Sequence, residues 1–156
     1  MNFDRFKNIG IGIGFLLIQI ILFRHLKIFK MQPDLVLIFL VWYMARSDRT
    51  AALFMAAGLG LLQDAMLDFW GLNMFSKTLL VFIGYNFIPK GSKSRLLVGQ
   101  VFLTIFIASI LHNLIFLGLN TLIQNYSAEI FFWRNLLGNS LYTAAVASFI
   151  QLFRTK

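Results

Sequence analysis

The sequence predicts an all-α polytopic membrane protein, a bundle of about six transmembrane helices forming one domain over residues 1–156. Three observations carry this expectation. Of the 156 residues 59% are hydrophobic, and the mean hydropathy is +0.78, whereas an average soluble domain is roughly 45–50% apolar. Only 13% of residues are charged, too few to cover a water-facing surface and too many apolar neighbours for a disordered chain. Apolar runs then recur along the sequence, separated by basic or turn-forming breakers. A span takes about 20 apolar residues, so this length holds five or six spans with short loops.

The first run, 9–23, is interrupted only by Gln19 and three glycines. Arg5 and Lys7 precede it as they would a signal peptide. Arg24, His25, Lys27 and Lys30 follow it in place of a small-residue cleavage site, so the run is expected to be retained as a helix. The second run, 33–45, is short: its residues rise only about 20 Å, against a hydrocarbon core of about 30 Å. The third, 51–67, carries Gln63 and Asp64 near its end, and the fourth covers 71–88. A long fifth run, 96–123, and a sixth, 136–153, complete the set. There is no low-complexity linker and no internal repeat.

Orientation follows from the Lys and Arg residues between the runs. With six spans and a cytoplasmic N-terminus, one side holds Arg5, Lys7, Arg46, Arg49, Lys90, Lys93, Arg95, Arg154 and Lys156. The other holds Arg24, Lys27, Lys30 and Arg134. The first outer loop violates the bias. A rival topology makes 33–45 re-entrant or interfacial and places the N-terminus outside, which removes that violation. The six-span arrangement is preferred, because Arg46 and Arg49 can snorkel to extend the short run.

The 14 Lys+Arg against 6 Asp+Glu leave a formal charge of +8. Spread between apolar runs, this excess fits anionic lipid headgroups and excludes a nucleic-acid stripe. With no cysteine, disulfides, thiolate metal sites and lipidated cysteines are excluded.

Polar residues inside apolar runs cost free energy in lipid, so they mark where function is sought. They are Gln19, Gln63, Asp64, Lys77, His112, Asn113, Asn120 and Asn139. Asp64 and Lys77 flank the turn near Trp70 and Gly71 at similar distance, which predicts a buried ion pair across the hairpin. A charge for binding a partner or ligand is the alternative, and a catalytic carboxylate the remote one. His112, Asn113 and Asn120 read as interhelical hydrogen-bonding groups. No nucleophile–base pair, HExxH or phosphate loop appears, so no enzyme, cofactor or metal is expected. Three pairs of small residues allow close helix approach: Gly10 with Gly14, Ala56 with Gly60, and Ala144 with Ser148. The first and third pairs are candidate faces for a partner helix.

The stretch 32–85 is more specific. Gln32-Pro33-Asp34 leads the short apolar run, Gly58-Leu-Gly60-Leu-Leu-Gln63-Asp64 closes the third, and Gly71-Leu72 opens the fourth. In order and spacing these elements resemble the rod shape-determining protein MreD family. The family-pattern positions are Pro33, Asp34, Gly58, Gly60, Gln63, Asp64, Gly71 and Leu72. The resemblance implies a non-enzymatic, multi-pass scaffold of the bacterial cytoplasmic (inner) membrane within the cell-elongation machinery. Its partner would be MreC, a single-span protein, and through it MreB filaments and the peptidoglycan polymerase and transpeptidase. Membrane lipid, from the charge pattern, and a second copy of the chain are further candidate contacts. The resemblance extends to the six-helix fold of the substrate-binding S-component of energy-coupling-factor transporters. Such a carrier is the alternative function, disfavoured here because the outer halves of the helices read as strongly apolar. Lys77 departs from the family pattern.

Overall fold

The computed structural model describes residues 2–23, 31–90, 98–124 and 133–154. These form six α-helices: α1 Asn2–Phe23, α2 Leu35–Met44, α3 Arg49–Leu67, α4 Leu72–Gly84, α5 Val98–Gln124 and α6 Asn139–Arg154. A π-helical turn, Arg134–Gly138, leads into α6. The all-α bundle expected from the sequence is therefore what forms. The stretches Arg49–Leu67, Val98–Leu122 and Arg134–Phe153 are long and apolar enough to cross a membrane, while Phe6–Ile21, Leu35–Met44 and Leu72–Gly84 are shorter apolar helical stretches.

Local chemistry sets the helix ends. Asp34 and Asp48 cap α2 and α3, their carboxylates accepting from the backbone N–H of Leu37 and Ala51 at 2.9 and 3.1 Å. Such caps satisfy backbone donors that a helix start leaves without partners. Asp68 ends α3 in the left-handed conformation (φ 59°), and Gly71 opens α4 at φ 84°. Two left-handed residues within four positions fold the chain tightly back, and glycine takes the second at little steric cost.

Successive helices alternate in direction. Gln19 of α1 meets Val36 at the start of α2, while Phe15 and Gly12 meet Phe39 further along it. Across the α3–α4 hairpin, Asp64 meets Asn73 and Arg49 meets Phe82. Lys77 of α4 meets His112 of α5, and Asn113 meets Ser140 of α6. One end of the bundle is consequently basic. There Arg46 lies over the Trp42 ring, Arg49 over Phe82 and Lys90 over Tyr85, at 4.4, 4.8 and 3.8 Å. Residues 31–34, 68–71 and 134–138 gather at the opposite end.

The core is built around α2, whose ten residues are buried except for Trp42. A helix apolar on every side belongs inside a bundle. It is also only about 15 Å long, so the expected span 33–45 is a half-length helix entered by an extended segment, 31–34. The N–H groups of that segment and of the first turn of α2 precede the helical ladder, in which Ile38 N–H donates to the Asp34 carbonyl. Side chains accept from them: Gln32 N–H donates to Asn139 Oδ1 (3.0 Å), Asp34 N–H to Thr143 Oγ1 (3.1 Å) and Val36 N–H to Gln19 Oε1 (3.0 Å). Buried backbone tolerates irregular conformation only with such partners.

The small-residue faces divide. A Cβ on Gly60 would stand 2.5 Å from Met74 Cα and 2.8 Å from its nitrogen, so α3 and α4 touch backbone to backbone there, with Ala56 buried a turn away. In α1 the internally packed glycine is Gly12, against Phe39 and Leu59, while a Cβ on Gly10 or Gly14 would meet nothing within 4 Å among the described residues. In α6 the expectation of an outward partner face at Ala144 and Ser148 is corrected. Ala144 is fully buried in the core. Ser148 is half-buried, and its hydroxyl donates to the Ala144 carbonyl at 2.9 Å. Ser148 therefore closes a bond within its own helix instead of opening a groove for another one. The physical reason is that α6 turns Ala144 toward the bundle, which makes the pair an internal packing contact. Large apolar side chains such as Phe54, Phe82, Phe87 and Phe149 instead cover the outside.

Candidate functional site

Lys77 is the centre of the polar interior, with no exposed surface. Its ammonium carries three donors, and three acceptors surround it: Asp34 Oδ2 at 2.8 Å, Asn73 Oδ1 at 3.2 Å and His112 Nε2 at 3.2 Å. His112 must accept through Nε2, which puts its proton on Nδ1, 3.4 Å from Asn113 Oδ1. Its ring also stacks on Phe116. Asp34 joins α2 to this cluster while capping its own helix.

The expected Asp64–Lys77 ion pair does not form. Asp64 accepts from the backbone N–H groups of Asn73 (3.0 Å) and Met74 (2.8 Å) and from Asn73 Nδ2 (2.9 Å). It caps the start of α4 from the neighbouring helix, where a carboxylate complements the helix dipole. The tight left-handed turn and the contact at Gly60 set Asp64 beside the first turn of α4, so Lys77 lies a turn deeper and faces α2 and α5. Asn73 bridges the two charges, its amide nitrogen toward Asp64 and its oxygen toward Lys77.

Beside this cluster lies a cavity of about 460 Å³, bordered by the extended segment that precedes α2. Asp34, His112 and Asn73 reach it from the charged cluster. Gln19 and Gln63 line it from α1 and α3, Asn113, Asn120 and Thr121 from α5, and Asn135, Asn139 and Thr143 from the π-turn and α6. Phe69, Phe116 and Leu117 add apolar surface. Six of the eight polar positions expected to matter therefore share one cavity, and Asp64 and Lys77 brace its wall. The expectation of strongly apolar helix halves at this end is corrected: the apolar residues face outward and the carboxamides face in.

Among the described residues, two lining groups lack partners: Gln63 Oε1 and Asn120 Oδ1 are buried and accept no hydrogen bond. Among the described residues no group of three or more His, Cys, Asp or Glu side chains is arranged to hold a metal ion.

Of the family-pattern residues, Pro33, Asp34 and Gln63 line the cavity, Asp64 caps α4, Gly60 sets the hairpin spacing and Gly71 makes the turn. Leu72 is buried at the start of α4, and Gly58 meets open space. The helix-contact candidates Gly10, Gly14, Ala144 and Ser148 all lie away from the cavity lining. Sequence reasoning missed Asn73 and the partnership of Asp34 with Lys77. The i, i+4 spacing of Asn73 and Lys77 on one helix face was the available signal for the first. No family model matches the chain, and neither a curated protein nor a solved structure matches it.

Proposed function

We propose that the chain is a non-enzymatic, multi-pass subunit of the bacterial inner membrane, an MreD-type scaffold of the cell-elongation machinery. In this reading it grips MreC, and through it couples MreB filaments to peptidoglycan synthesis. The observation that carries the reading is convergence: Asp34, Gln63 and Asp64, scattered over two sequence motifs, meet in one polar interior. The alternating helix directions support six passes, since a re-entrant second run would set α1 antiparallel to α3. The basic, aromatic-lined end fits the cytoplasmic face, which turns the cavity outward. The open Gly10/Gly14 face is the candidate grip for a single-span helix, which close packing holds in lipid.

Crosslinking in membranes followed by mass spectrometry tests the scaffold reading. MreC should be recovered with the wild type and depleted with Gly10→Leu/Gly14→Leu, at equal insertion. Recovery of no single-span coiled-coil partner overturns it. The cavity itself favours a second reading, the solute-binding subunit of an energy-coupling-factor type transporter. That reading requires recovery of an ATPase module in the same experiment.

A further inference from the structure

The cavity is equipped for a ligand that neither scaffolding nor packing calls for. Interiors rarely leave buried polar groups without partners, yet Gln63 Oε1 and Asn120 Oδ1 are both in that state, on two helices lining one space. Gln63 is only 4% exposed. The terminal torsion of a carboxamide is soft and two-fold, so each can turn its oxygen or nitrogen toward the cavity. The volume of about 460 Å³ lies within the range of small-molecule sites, roughly 300–1,000 Å³.

The charge balance narrows the ligand class. The cationic group beside the cavity, Lys77, spends all three donors on Asp34, Asn73 and His112, and Asp34 is held in that ion pair. Among the described lining residues nothing charged is free to neutralise an ion. What remains are carboxamides and threonine hydroxyls that both donate and accept, beside the apolar faces of Phe69 and Phe116. A hydroxyl does both at a single atom: it donates to an orphaned oxygen and accepts from an amide N–H.

We propose that this cavity binds an uncharged polyhydroxyl compound, either a free sugar or the sugar headgroup of a glycolipid, with its hydroxyls donating to Gln63 and Asn120. The proposal stands independently of partner capture, which can fail while binding persists.

The test uses the full chain in phosphatidylcholine nanodiscs, because sugar-headed detergents would compete. Saturation-transfer NMR is read with glucose, and with glucosamine and glucose 6-phosphate as charged counterparts. A second arm compares nanodiscs with and without a monoglucosyl diacylglycerol. Saturable glucose binding, weakened about tenfold or more by Gln63→Leu or by Asn120→Leu (one lost hydrogen bond of about 1.4 kcal/mol), supports a free sugar. Protection of the protein by the glycolipid alone, lost in the same variants, supports a headgroup. Two variants on different helices guard against one failing to fold, which circular dichroism and unfolding curves report. Preference for either charged counterpart, binding unaffected by both variants, or no saturable binding in either arm overturns the proposal.

Discussion

Lys77→Met is the most informative perturbation of this fold. The Lys77–Asp34 contact is 2.8 Å long, and the ammonium is fully buried. At an effective dielectric of about 20, Coulomb's law gives about 6 kcal/mol of gross attraction at that distance, against which desolvation of both ions is set. Removing one member strands the other, at a typical cost of about 3–5 kcal/mol, whereas removing both is far milder. Methionine keeps the side-chain volume, so cavity formation adds little. In Lys77→Met the Asp34 carboxylate keeps its Leu37 N–H partner, which places the cost near the lower bound. Asp34→Asn retains the cap but leaves the ammonium without a counter-charge, placing its cost higher. The double variant Asp34→Asn/Lys77→Met should cost less than the sum of the singles by about 2 kcal/mol or more. Asp64→Asn/Lys77→Met shares only Asn73 and should be additive within about 1 kcal/mol. Reversible unfolding in mixed micelles measures these four variants and the single Asp64→Asn that completes the second cycle. Coupling of Lys77 to Asp64, with additivity toward Asp34, would refute the assignment of partners.

Other consequences are as direct. Gly60→Ala should destabilise by about 1–3 kcal/mol or more through overpacking against the Met74 backbone, while Gly58→Ala, in open space, should be neutral or stabilising by up to about 1 kcal/mol; paired unfolding curves decide. Gln19→Leu strips the Val36 N–H of its acceptor and should cost about 1–3 kcal/mol, with faster amide exchange confined to the first turn of α2. Because the chain has no cysteine, single cysteines report topology cleanly: in the proposed orientation Trp70→Cys should react with impermeant maleimide from the periplasmic side and Lys90→Cys only after the inner face is opened. Labelling of both from one side would sink the six-pass arrangement.

Composition and run length were enough to establish an all-helical apolar bundle, because lipid-facing surface demands apolar side chains whatever the fold, and apolar periodicity is local. The polar interior was legible as a set: Gln19, Gln63, His112, Asn113, Asn120 and Asn139 stood out because each is costly in an apolar run, and they share the cavity. Their pairing was not legible. Symmetry about the α3–α4 turn suggested Lys77 for Asp64, but register in a hairpin depends on where the turn closes. That was decided by left-handed residues at 68 and 71 and by the absent side chain of Gly60. Small-residue spacing was equally silent on direction: Gly10 and Gly14 face open space, whereas Ala144 is buried and Ser148 bonds back to it. The half-length α2 was hidden for a similar reason. Pro33 and the apolar run after it describe a helix start, whereas its depth depends on acceptors from Gln19, Asn139 and Thr143, two of which lie more than a hundred residues away. Burial cost is written residue by residue in the sequence; which donor meets which acceptor is settled only when distant helices pack, since hydrogen bonds require contact and contact is tertiary.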